Sequence, residues 1–126
     1  MATAQAINDP STIAGYHAHI YYDEASKPAA ARLREAIEAA FPQARMGRWH
    51  DEPVGPHPIS MYQVAFAVEQ FPQIVPWLML NRRGLTILAH PETGDDYTDH
   101  AENALWLGGK IKLRLETLRR RGQPRD

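Results

Sequence analysis

No cysteine occurs among the 126 residues. That removes disulfides, thiolate nucleophiles and cysteine-type zinc sites together, and it agrees with a reducing cytoplasm, where the protein is expected. No stretch approaches the roughly 20 apolar residues of a membrane span. The first fourteen residues, MATAQAINDPSTIA, lack the basic start and apolar run of a secretory signal. Net charge is also missing. Fourteen Lys and Arg against fifteen Asp and Glu leave a formal charge of -1, so there is no global pull toward nucleic acid or an anionic membrane, and neither is expected as a partner. The one local excess is at the end of the chain, where seven of the fourteen basic residues lie between Lys110 and Arg125. Such a run can hold an anion, but more often it is the solvated end of a last helix.

What remains is ordinary globular material, 44% hydrophobic and 23% charged, of a length that suits one domain. The expected division is a flexible segment 1–14, a single domain 15–118 and a basic tail 119–126. GYHAHIYYD alternates, with Tyr16, Ala18, Ile20 and Tyr22 on one face and His17, His19 and Tyr21 on the other, which is the pattern of a strand. Ser26 and Pro28 then open a helix that carries Leu33, Ile37, Ala40 and Phe41 at helical spacing, and Pro42 stops it. ARMGRWH predicts a short second strand and DEPVGPHP a stiff, proline-rich turn. SMYQVAFAV predicts a third strand with Tyr62, Val64, Phe66 and Val68 on its apolar face. A second helix holds Phe71, Ile74, Val75 and Leu78, with Gly84 as its stop. LTILAH is a fourth strand, with Thr86, Leu88 and His90 on one side. Asp99 and Glu102 resemble a capping box, introducing a last helix with Ala104, Leu105, Leu107, Ile111, Leu115 and Leu118, weakened by Gly108 and Gly109.

The order β-α-β-β-α-β plus a C-terminal helix predicts an α+β, ferredoxin-like sandwich. Right-handed crossovers then set strands one and four side by side and antiparallel, so that His90 comes to lie beside His17. Both helices cover the Ala18–Ile20 face. His17, His19 and His90 therefore share the open face, and three imidazoles on one face can converge on a metal ion. Buried histidines satisfied by hydrogen bonds are the plain alternative. His50 and His57 belong to the proline-rich turn, which could present a base or a ligand or be merely structural. HPETGDDYTDH brings Asp95, Asp96, Asp99 and His100 to a helix start, where carboxylates favour the positive end of the dipole. Trp49 and Tyr62 read more simply as core or edge aromatics than as substrate platforms.

The blocks GYHAHIYYD, GRWHDEPVGPHPISMYQVAF, VPWLMLNRRGLTILAHPETG and DYTDHAENALWLG resemble, in order and over about residues 15 to 110, the DOPA 4,5-dioxygenase family. The resemblance implies a ferredoxin-like domain, often dimeric, with an extradiol ring-cleaving activity that needs non-haem Fe(II) and takes O2 as co-substrate. The histidines that match are His17, His19, His50, His57, His90 and His100. The expected reaction opens a DOPA-like catechol with a carboxylated side chain to a semialdehyde. Metal ligands are expected at His17, His19 and His90, with His57 next to them. His50, His57 and His100 are the expected catalytic groups, His50 or His100 as the acid–base. Non-haem iron sites usually add a carboxylate to two histidines, and Glu69 or Asp99 could supply it; an all-histidine site is the other arrangement. A homodimer is expected from apolar Leu88, Ala65 and Ala67 on the open face. The contrasting reading is a non-catalytic, dimeric metal- or small-molecule-binding protein, since ferredoxin-like domains host many functions.

Overall fold

The computed structural model describes residues 7–119. The chain runs β1 (Tyr16–Tyr21), α1 (Lys27–Ala40), β2 (Arg45–Met46), β3 (Met61–Phe66), α2 (Phe71–Asn81), β4 (Ile87–Pro91), a short helix α3 (Asp96–His100) and β5 (Leu105–Leu107), with 3-10 turns at Pro10–Thr12, Val68–Gln70 and Leu115–Thr117. The sheet order is β2-β3-β1-β4-β5, and every neighbouring pair is antiparallel. This is the ferredoxin-like α+β arrangement with one further strand. Of the basic stretch 119–126, only Arg119 is among the described residues.

The period-two pattern sorts the faces as expected. Ala18, Ile20, Tyr62, Val64 and Ile87 point to one side and pack against Ala30, Leu33 and Ile37 of α1 and Ile74, Val75 and Leu78 of α2. Each of these is 3% exposed or less, which makes this layer the hydrophobic core and fixes strand register, because a slip by one residue would turn the whole apolar set to the other face. Ser26 stands at the N-cap of α1 but does not cap it with its side chain; its hydroxyl donates to Asp23 Oδ1 instead. The helix ends ahead of Pro42, which disfavours helical geometry in the residue before it.

Three expectations are corrected. The third strand ends at Phe66, so Val68, expected on its apolar face, is exposed in the 3-10 turn that follows. The second strand is shorter than ARMGRWH: only Arg45 and Met46 form the ladder, opposite Ala65 and Val64. Pairing then continues through the Gly47 N–H to the Gln63 carbonyl and resumes as a single bridge between His50 and Met61, so that one residue is left over on the β2 side. That bulge sends Trp49 to the core and returns His50 to the open face beside Met61.

The largest correction concerns the C-terminal helix, which is not formed. Asp95, not Asp99, caps the single-turn α3, accepting from the Thr98 N–H. Leu105 to Leu107 add a strand to β4. Two adjacent glycines cost a helix about 1 kcal/mol each, whereas β4 would otherwise be an edge with unpaired backbone groups. Gly108 turns with φ +84°, a conformation that favours glycine, and a Cβ there would push the end of the Arg82 side chain, 2.8 Å away, aside. Beyond it the chain crosses the open face. Trp106, Ile111 and Leu113 pack on buried Tyr21, Met61 and Leu88, and the Arg114 N–H donates to the Pro56 carbonyl. Leu88, one of the apolar residues behind the expectation of a dimer, is thus covered by its own chain.

Candidate metal centre

Beside this crossing segment the open face is lined with histidine. The ladder places His17 opposite His90, with His19 one step along β1 opposite Leu88. His57 arrives from the turn Val54–His57, closed by paired backbone hydrogen bonds and shaped by Gly55 at φ +55°. His100 comes from α3. Ring centroids of His19 lie 4.1 Å from His57, 5.1 Å from His90, 5.8 Å from His100 and 6.1 Å from His17. Two trios have ring nitrogens all within 4.8 Å of one another, His17–His19–His90 and His19–His57–His100. Five of the six histidines therefore meet in one cluster, with His19 at its centre. His50 is on the same face but one strand further off, beyond Met61, and belongs to neither trio.

Hydrogen bonds orient the rings. His17 Nδ1 is 2.8 Å from Glu92 Oε1. His90 Nδ1 is 2.9 Å from the Pro91 carbonyl oxygen, and His100 Nδ1 is 2.8 Å from that of Asp96. Oxygen acceptors at these three positions put the proton on Nδ1 and leave Nε2 as a lone pair, the arrangement common in metal-binding histidines. His57 Nδ1 meets the Tyr21 hydroxyl at 2.7 Å. His19 Nε2 stands 3.0 Å from His90 Nε2, while His19 Nδ1 is buried without a partner.

That donor set fits a divalent metal ion. Two imidazole nitrogens 3.0 Å apart have the separation of neighbouring ligands around an ion bound at about 2.1 Å. Imidazole suits zinc, copper, iron and nickel alike, so the set by itself does not choose among them. A buried polar atom with no partner costs about 1–3 kcal/mol, a further sign that the rings are placed for something other than one another.

The expected carboxylates do not join in. Glu69 is exposed in the 3-10 turn that follows β3, away from the cluster's hydrogen bonds and contacts. Asp99 is buried but engaged by the Thr93 N–H at 2.8 Å and the Thr93 hydroxyl at 2.6 Å, fastening α3 to the end of β4. The acid that does reach the cluster is Glu92, 2.8 Å from His17 and 3.7 Å from His90. Its signal was in the sequence: continuing the alternation of β4 by two residues puts it on the face of His90. The His17 hydrogen bond lowers its pKa.

Burial, first, and the neighbouring imidazoles, second, disfavour charge on these rings. His57 is pushed down to about 3 and His90 to about 4, and His19 falls well below the usual histidine value. His100 is lowered by burial too, but the Asp96 carbonyl and the charges of Asp96, Glu92 and Asp99 oppose the shift. A folded protein that binds protons less readily than its unfolded chain loses stability as pH falls. The metal-free protein is therefore expected to hold its full stability above about pH 6.5, the unfolded value, and to lose on the order of several kcal/mol as pH falls toward 4, the folded value of His90. Urea unfolding of metal-free protein at pH 7.5 and pH 5 measures this; equal stabilities would show that the rings do not resist protonation.

The profile of the Dopa 4,5-dioxygenase family matches residues 16–117. An uncharacterized 21.2 kDa protein of Botryotinia fuckeliana is 37% identical over 116 residues, which is 83% of this chain and 63% of that protein. The DOPA 4,5-dioxygenase of Amanita muscaria is 34% identical over 116 residues, 86% of this chain and 51% of its own length. The chain thus spans only about half to three-fifths of these two curated relatives. A crystal structure from Nostoc punctiforme, of a protein provisionally assigned as a dioxygenase, superposes with a TM-score of 0.86 at 56% identity, covering 88% of this chain and 96% of that one.

Proposed function

The chain belongs to the Dopa 4,5-dioxygenase family, and from that premise we propose that it is a non-haem Fe(II)-dependent extradiol dioxygenase. In this reading it inserts both atoms of O2 into a catechol with a carboxylated side chain and releases a semialdehyde. The observation that carries the reading is the trio His17–His19–His90, three imidazoles on one sheet face with Glu92 behind two of them. These three residues would hold an iron ion, which would supply Lewis-acid binding of the catechol and activation of O2. The rest falls to the protein. Glu92 fixes the tautomer of His17 and increases its basicity as a ligand.

Proton handling is assigned to His100. Its Nδ1 is anchored on Asp96, so Nε2 is the free nitrogen, and its ring centroid is 3.9 Å from that of His90. Three nearby acids favour its imidazolium, which makes it a better acceptor for a catechol proton than His57, whose pKa near 3 leaves it a weak base. His57 would instead hold the Tyr21 phenol in place through their 2.7 Å contact. His50, outside the cluster, has no part in this assignment.

The test is anaerobic reconstitution with Fe(II), followed by oxygen and a panel of catechols. The expected result is uptake of one O2 per catechol with a yellow semialdehyde product. Iron bound without oxygen uptake on any catechol would overturn the reading in favour of a non-catalytic metal-binding protein.

A further inference from the structure

Among the described residues, His19, His57 and His90 are almost fully buried, whereas the side chains of His17 and Glu92 are 27% and 33% exposed. On the β1 side the cluster therefore reaches solvent through these two. What lies outside them is a cleft of about 550 Å³ whose lining includes His17, Glu92, Ala65, Arg45, Gln43 and Gln70. The sheet register explains this layout. Arg45 is paired with Ala65, Ala65 with His17 and His17 with His90, so the four form one row across the sheet. Residues paired across antiparallel strands share a face, and the whole row is on the open one. With strands about 4.8 Å apart, the backbones of Arg45 and His17 are roughly 10 Å from each other. Between them stands only a methyl group. A larger residue at 65 would close the gap.

Arg45 is also uncommitted. Its side chain makes no ion pair or hydrogen bond among the described residues. Arg34, by contrast, lies over the rings of Trp49 and Tyr62, and Arg82 donates to the Leu85 carbonyl. A guanidinium keeps its charge at any physiological pH and binds a carboxylate through two parallel N–H donors. Gln43 and Gln70 add amide donors to the lining of the cleft.

We propose that this cleft is an aromatic-acid subsite, in which Arg45 binds the carboxylate of a substrate whose ring reaches the histidine cluster past Ala65. This rests on the ring-cleavage reading for what happens at the ring, but not for the binding of the acid. Side chains stand roughly perpendicular to a sheet, so the ends of His17 and Arg45 are separated by roughly the same 10 Å as their backbones, which suits an aromatic ring with a short side chain ending in a carboxylate. Arg45 would thereby select acids over neutral catechols and set which end of the molecule meets the metal.

Two measurements test it. The first compares kcat/KM for 3-(3,4-dihydroxyphenyl)propanoate and for 4-ethylcatechol in the iron-loaded protein and its Arg45→Gln and Arg45→Lys variants. The preference for the acid is expected to collapse by about 10–100-fold in Arg45→Gln, the worth of one charge-assisted pair, through KM rather than kcat, with partial recovery in Arg45→Lys. An unchanged preference would overturn the proposal. The second is calorimetric binding of 3-phenylpropanoate, which cannot be cleaved, to metal-free protein. Affinity lost by about tenfold or more in Arg45→Gln supports the cleft even if no catechol is turned over, in which case the ring-cleavage reading alone fails. Equal binding by both proteins would overturn the subsite.

Discussion

Alanine at His19 is expected to cost the protein its metal outright, with affinity reduced by more than the roughly 10–100-fold typical of residues that only support a ligand. His19 is the one residue common to both trios of ring nitrogens, so its loss dismantles either arrangement. His17→Ala and His90→Ala should do the same if the ion is held by the first trio, while His57→Ala and His100→Ala should keep it. Groups that act as a unit give non-additive losses, so the double variant His17→Ala/His90→Ala should be little worse than either single one. Metal content per chain and turnover, read together for all five single variants, decide the matter. Iron retained in His90→Ala but lost in His100→Ala would move the ion to His19–His57–His100 and overturn the assignment made here. Folding is checked independently by the circular dichroism of the metal-free variants, because none of these rings belongs to the hydrophobic core.

The second large effect belongs to His100. Its replacement by alanine is expected to leave iron occupancy intact and to slow turnover by about 10²–10⁴-fold, the usual contribution of a positioned acid–base group. The loss should fall on kcat, since His100 is not in the trio assigned to the metal. A His100→Ala variant with full iron and unimpaired kcat would return the proton-handling role to His57 or His50. Asp96→Asn provides a finer control. The backbone carbonyl of Asp96 still anchors Nδ1, but one of the charges that favour the imidazolium is removed, so a smaller loss in the same direction is expected.

Local pattern was legible wherever one period dominated. The alternation of β1, β3 and β4 and the helical spacing of α1 and α2 gave both the elements and their faces, because a half-buried strand or helix must segregate its apolar residues. Where two readings competed, pattern alone misled. Leu105 and Leu107 satisfy period two as well as a helical repeat, and only the unpaired edge of β4 made the strand the better solution. Glu92 was overlooked for a related reason. Its sequence neighbours, a proline and a threonine-glycine turn, suggest a loop, yet the pairing with β1 carries on past His90 through Pro91 to the Glu92 backbone, which bonds Gly15 and Ala14.

The sequence by itself determined the order of elements from β1 to β4, the layer that became the core, and the meeting of His17, His19 and His90, since handed crossovers and strand parity leave little freedom once the elements are known. Tertiary structure decided what no local pattern encodes. It brought His57 and His100 to His19 by means of a turn and a single-turn helix whose directions depend on backbone hydrogen bonds to distant residues. It also turned His50 to the open face through a one-residue bulge, yet left it outside both trios because it pairs with Met61, one strand beyond β1. And it laid the C-terminal segment over Tyr21, Met61 and Leu88 instead of beside the sheet as a helix. That segment covers Tyr21, Met61 and Leu88 because burying apolar side chains is favourable, and the histidine cluster beside it keeps its exposure at His17 and Glu92.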